Sequence, residues 1–146
     1  MGWFNYIGLV IVILILIPNL VFAINNKDGF ENSYHNKKIE TLEQIGRFGS
    51  LIFMIFNIPY TYFGFFIDAG LVIYIAVNAI FVTSYIVVWC VCAKRFLVFR
   101  AYALSIIPSF LFIFSGFMLL DAPLLLFSVI FAFSHITISV KNAKNK

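Results

Sequence analysis

Polar and apolar positions in this chain are not interleaved; they fall into long blocks. Five stretches contain no Asp, Glu, Lys or Arg, and they contain the predicted spans 3–24, 48–67, 71–92, 101–120 and 122–140. Each is about 20 residues, the length of helix that crosses the ~30 Å hydrocarbon core of a bilayer. Between them lie one polar loop of moderate length, 25–47, three short connections ("IDAG", "KRFLVFR" and "LDAP") and a basic tail, 141–146. The pattern predicts an all-α integral membrane protein, a bundle of five transmembrane helices in one domain.

Within the blocks a weaker periodicity marks one protein-facing stripe per helix. Asn5, Gly8 and Asn19 share a face in the first block, and Tyr74, Asn78, Tyr85 and Trp89 in the third. Ala101, Ser105, Ser109 and Gly116 do so in the fourth, and Ser128, Ala132, His135 and Ser139 in the fifth. In the second, Gly46, Ser50, Asn57, Thr61 and Gly64 are expected to line up if the helix runs through. Small residues let membrane helices approach closely and polar ones bridge them.

Three prolines, Pro18, Pro59 and Pro108, fall inside the blocks and predict kinks, with Asn19 and Asn57 placed to serve loosened carbonyls. The polar loop ends in "NKKIETLEQIGR", an amphipathic stretch. It reads as an interfacial helix or an extension of the second span, with Glu43 and Arg47 as a solvent-exposed i,i+4 pair. "NNKDG" ahead of it reads as a turn. Asp121 is expected to cap the fifth helix, with Pro123 in its first turn.

Composition agrees: 63% of the 146 residues are hydrophobic, 11% are charged, and the mean hydropathy is +1.03. A soluble domain carries about 25% charged residues. All ten Lys and Arg residues fall in the first loop, the "KRFLVFR" connection or the tail, whereas Asp68 and Asp121 fall in the other two connections. Cations mark the cytoplasmic side, so the expected topology has the N-terminus outside and the C-terminus in the cytoplasm. A cleaved signal peptide ending at "VFA" is the competing reading of the first block. It is disfavoured because "MGWFNY" has no cation and because cleavage would turn the cationic loops outward. The wealth of Ile, Asn, Lys and Phe suggests an AT-rich bacterial genome, hence a plasma membrane. Trp3, Tyr6, Tyr60, Tyr62, Trp89 and Tyr102 are candidates for interfacial belts.

Candidate chemistry is sparse. Asn57, Asn78 and His135 fall at estimated depths of about 15, 12 and 19 Å from the outer face, so they are expected to meet near the midplane. His135 is the one ionisable residue expected at that depth, since no carboxylate is expected inside the membrane. It is read as interhelical glue ahead of a proton relay. Cys90 and Cys92 read as unpaired small apolar groups. Phosphate-loop, dinucleotide, zinc-protease and serine-hydrolase patterns are absent, so no catalytic residue, cofactor or metal is assigned, and no cationic run suggests nucleic acid. Two functions lead, and a third, an intramembrane enzyme, has only His135 to recommend it. One is a packing protein, acting as a homo-oligomer or as an accessory subunit of a membrane complex. The other is a small-solute or proton-linked transporter using Asn57, Asn78 and His135. Transport requires a hydrated cavity reaching those residues, whereas glue predicts a dry, filled interior.

Overall fold

The computed structural model describes residues 2–26, 33–92 and 98–145. It contains five helices: α1 (Tyr6–Asn25), α2 (Lys37–Ile55), α3 (Gly70–Val91), α4 (Val98–Leu119) and α5 (Ala122–Lys144). No strand occurs among the described residues. Four helices, α1, α3, α4 and α5, are long and apolar enough to cross a membrane.

These four start and stop where local chemistry demands. Asn5 caps α1 by accepting the Gly8 N–H at 2.9 Å, and Asp121 caps α5 by accepting that of Leu124 at 2.9 Å. Pro123 lies in the first turn of α5, where its missing N–H costs nothing. α4 begins at Val98 and α5 runs on to Lys144, beyond the apolar blocks at both places. Pro18 and Pro108 lie inside α1 and α4 as expected. Beside Pro18, Asn19 donates to the Ile15 carbonyl at 3.3 Å and accepts the Tyr85 hydroxyl at 3.0 Å, joining α1 to α3.

The second helix departs from expectation. It occupies Lys37–Ile55 rather than 48–67, and Pro59 is not a helix kink. Asn36 sets the start, its side chain accepting from the Lys38 and Ile39 N–H groups. The amphipathic stretch is thus the first half of α2 itself. The stop follows from Pro59, which cannot donate to Ile55 and which biases Ile58 away from helical backbone. Phe56 is already extended, and Pro59 sits in a turn followed by Tyr60 at φ 71°. The "NNKDG" turn and most of "KRFLVFR" lie outside the described residues.

Chain direction alternates from helix to helix, and α1 and α3 run parallel, since Asn5 meets Tyr74 while Asn19 meets Tyr85. The most extensive packing is α2 on α5 and α4 on α5, then α3 on α4; α1 closes the bundle against α2 and α3. Tyr74, Met54, Leu111, Leu119 and Leu124 are fully buried at the centre.

One end carries a non-helical cap. Asn5 N–H donates to the Ile55 carbonyl at 2.7 Å and Asn57 N–H to that of Trp3 at 2.8 Å, pairing the N-terminal segment with the end of α2. Gly64 N–H bonds the Leu119 carbonyl at 2.9 Å and Ala122 N–H that of Thr61 at 3.1 Å, pairing the segment after α2 with the α4–α5 corner. Trp3, Tyr6, Tyr60, Phe63 and Phe66 are exposed there. At the other end, Asn142 of α5 accepts from the Tyr34 N–H at 2.9 Å, and the Lys141 ammonium lies 4.5 Å from the Tyr34 ring centre.

Small residues set the α2–α5 distance. A Cβ on Gly46 would stand 2.5 Å from the Phe131 nitrogen, and one on Gly49 would run into the Phe127 ring. The Gly46 obstacle is backbone, so it cannot rotate away. Gly46→Ala is therefore expected to cost about 1–3 kcal/mol by forcing the helices apart. Thermal unfolding in detergent checks this against Gly2→Ala, whose Cβ meets nothing; equal midpoints for the two variants would show the close approach to be unimportant.

Candidate functional site

The polar residues singled out from the sequence do not form one cluster. Asn57 belongs to the cap, where its Nδ2 donates to the Gly2 carbonyl at 2.8 Å. Its expected depth of about 15 Å assumed a helix through residue 67, and the helix ends at Ile55. Asn78 is fully buried between α3 and α4, donating to the Tyr74 carbonyl at 2.9 Å and accepting the Ser115 hydroxyl at 3.1 Å. His135 turns towards α2, its Nδ1 lying 3.1 Å from Glu43 Oε1, and its ring stacks on Phe131 with centroids 4.6 Å apart. No hydrogen bond among the described residues joins any two of the three.

Glu43 is the residue that sequence reasoning misplaced. It was expected on a solvated helix face, yet it is only 4% exposed. The expectation that no carboxylate would lie level with His135 is corrected with it. Glu43 is bonded through one oxygen to both Arg47 and His135. The signal was present: Glu43, Gly46 and Ser50 are spaced by three and four, so the small-residue face of α2 extends back to the carboxylate. The Glu43–Arg47 pair forms as its spacing suggests, but at a helix interface.

Two further polar connections support the packing. Asn5 Nδ2 donates to the Tyr74 hydroxyl at 3.4 Å, which lies 3.9 Å from Met54 Sδ, so α1, α2 and α3 meet at one buried point. Arg100, at the opposite end, donates to the Cys92 carbonyl at 3.3 Å, with its guanidinium over the rings of Phe22 and Trp89. Cys90 is exposed and Cys92 buried, on different faces of the end of α3. Among the described residues no three of His, Cys, Asp and Glu come together to hold a metal.

Two open hollows lie on the outside of the bundle. A groove of about 250 Å³ runs between α1 and α3, lined by Ile7, Val10, Leu14, Ile75, Ala79 and Thr83 among others. A second of about 290 Å³ adjoins it along α3 at Ala79, Ile80, Thr83 and Ser84. Neither is lined by Asn57, Asn78 or His135. Comparison with protein-family models, curated proteins and solved structures found no match to the chain.

Asp121, at the α4–α5 corner, is fully buried. Its Oδ1 caps α5, while Oδ2 has no hydrogen-bond partner among the described residues. Burial pushes the carboxyl above the ordinary aspartate range, against the smaller opposing effect of the Leu124 N–H. A group whose folded-state value is raised takes up a proton on folding. Its contribution is therefore full below about pH 4 and is lost as pH rises through the folded-state value. Asp121→Asn keeps a capping oxygen but cannot titrate. The variant is expected to lose that part of the pH dependence of detergent melting; wild-type and variant curves of the same shape would sink the assignment.

Removing His135 tests the Glu43 site. His135→Gln offers an amide donor to the carboxylate, whereas His135→Leu leaves Arg47 as its one side-chain partner. The leucine variant is expected to lose about 1–3 kcal/mol, the scale of a hydrogen bond to a charged group, and the glutamine variant much less. Equal melting of the two would show that the bond to Glu43 contributes nothing.

Proposed function

We propose that this chain is an integral protein of a bacterial plasma membrane that acts through helix association, as a homo-oligomer or as an accessory subunit of a membrane complex. In this reading α1, α3, α4 and α5 cross the bilayer, and α2 crosses inside the bundle with the cap completing its path. The N-terminus lies outside and the C-terminus in the cytoplasm. Alternating direction supports this orientation. It gathers Lys37, Lys38, Arg100, Lys141 and Lys144 at one end and leaves Asp68 and Asp121 at the other. The exposed Trp and Tyr residues of the cap suit the outer headgroup region.

The observation that supports the association reading is the low, small-residue surface along the outside of α3. The Asn78–Ser115 and Asn5–Tyr74 bonds are enclosed by packed side chains, and the two open hollows face outward along α3. Ala79 and Thr83, one turn apart, keep that surface low, which is how a membrane helix admits another. Transport through Asn57, Asn78 and His135 would need a wetted path to residues that sit in three separate places.

Both parts are testable by cysteine chemistry in a chain with Cys90 and Cys92 replaced by alanine. In intact cells Tyr60→Cys is expected to react with an impermeant maleimide and Lys144→Cys to be protected; the reverse pattern would overturn the orientation. Thr83→Cys is expected to cross-link to a second copy or to a co-assembled subunit, and Ala79→Phe, filling the groove, to reduce that yield at least several-fold. A Thr83 cysteine that cross-links to nothing in the native membrane would end the association reading.

A further inference from the structure

We propose that Arg47 and His135, both held by the buried carboxylate of Glu43, form a binding site for the phosphodiester of an anionic phospholipid in the cytoplasmic leaflet. The inference rests on the membrane placement above and goes beyond the association reading. Arg47 carries five N–H donors. Glu43 Oε1 takes one of them, and the Arg47 side chain is 41% exposed. His135 spends Nδ1 on the same oxygen, and its side chain is 23% exposed. One carboxylate oxygen binds both groups, so the partly exposed Arg47 guanidinium and His135 ring lie close together at the α2–α5 interface.

The surroundings of that edge matter as much as the donors. Ile45 and Phe48 flank Arg47 on α2 and are exposed, as surface in contact with lipid tails would be. Donors left bare in hydrocarbon cost several kcal/mol each, so they need oxygen partners there. Arg47 reaches back along α2 towards Glu43, in the direction of the cationic end. His135 is about 9 Å along α5 from Lys141, a distance that a headgroup drawn slightly inward covers. The planar guanidinium fits two phosphate oxygens at once, with the His135 ring beside it. Glu43 opposes an anion, but its charge is already matched by Arg47. Lys38, Lys141 and Lys144 are exposed, so they add only a screened and secondary attraction, and an anionic headgroup brings no ammonium of its own to compete.

The test uses the full chain in nanodiscs of phosphatidylcholine with a minor share of phosphatidylglycerol, with retained lipids identified by native mass spectrometry. Wild type is expected to retain phosphatidylglycerol several-fold above its share of the disc. Arg47→Gln alone strands Glu43 and can unfold the chain, so the decisive variant is Glu43→Gln with Arg47→Gln, which removes both charges while leaving amides to bond His135. That double variant is expected to stay folded and lose the enrichment, while Lys141→Gln with Lys144→Gln keeps most of it. Excess inorganic phosphate is expected not to displace the lipid. Enrichment that survives in the double variant, or disappears with the lysine pair, overturns the site. Displacement by inorganic phosphate would assign it to the free anion and overturn the lipid. Correct cysteine labelling without enrichment would remove this site alone, whereas reversed labelling would remove the membrane placement beneath it.

Discussion

The close approach of α2 to α5 is the constraint on which the other contacts depend. Gly46 and Gly49 place the α2 backbone against Phe131 and Phe127, closer than any side chain permits. At that separation Glu43, one turn before Gly46, has no route to water, and its carboxylate must be bonded within the interface. Arg47 from the same helix and His135 from the facing one supply the bonds. α5 in turn packs along α4, which carries the buried Ser105, Ser109 and Ser115 against the rest of the bundle. A fault in the glycine contact would thus reach α4 through α5.

The cap solves a separate problem, that of backbone which is neither helix nor strand. Residues 57–63 carry amide and carbonyl groups outside any helical ladder, in a chain with little polar surface. The N-terminal segment takes one side through Phe4 and Phe56, and the α4–α5 corner takes the other through Tyr62 and Asp121. Asn57 belongs to this arrangement, bonding the N-terminal segment through both its main chain and its side chain. The same logic explains Tyr60, which holds a positive φ while 96% exposed. Such backbone costs a bulky residue roughly 1–2 kcal/mol, and packing does not account for it there; under the proposed membrane placement an aromatic ring in the headgroup region does.

Much of the fold is legible in the sequence because four helices coincide with runs too apolar to be anything else. Their inward faces are legible too: Tyr74, Asn78, Tyr85 and Trp89 are all buried, as their spacing requires. α2 is legible only in part, as an amphipathic stretch that extends the second block; its bounds are not, for a reason that hydropathy cannot express. Its start is fixed by the Asn36 cap and its end by Pro59, and between them the helix is half polar, most of its polar side chains exposed or half-buried and Glu43 paired across the interface with His135. Apolar runs locate segments that need no partners; α2 needs them. The supposed meeting of Asn57, Asn78 and His135 failed with it, since depth counted along a misplaced helix puts side chains at the wrong level.

Retaining a buried ion pair at such an interface calls for a reason, because desolvation offsets much of the attraction and apolar replacements are often as stable. Register supplies one. Gly46, Gly49 and Ser50 repeat smallness along α2, so apolar packing alone distinguishes poorly between the observed alignment and one shifted by a turn. A shift of one turn, about 5.4 Å, would carry Glu43 out of reach of the His135 ring, against the 3.1 Å of the observed alignment. The carboxylate would keep the Arg47 ion pair of its own helix and lose its link to α5. The smooth glycine face permits close approach, and the charged residue at its end fixes where along the helix that approach occurs. The two features are complementary, and both lie in the eight residues from Glu43 to Ser50.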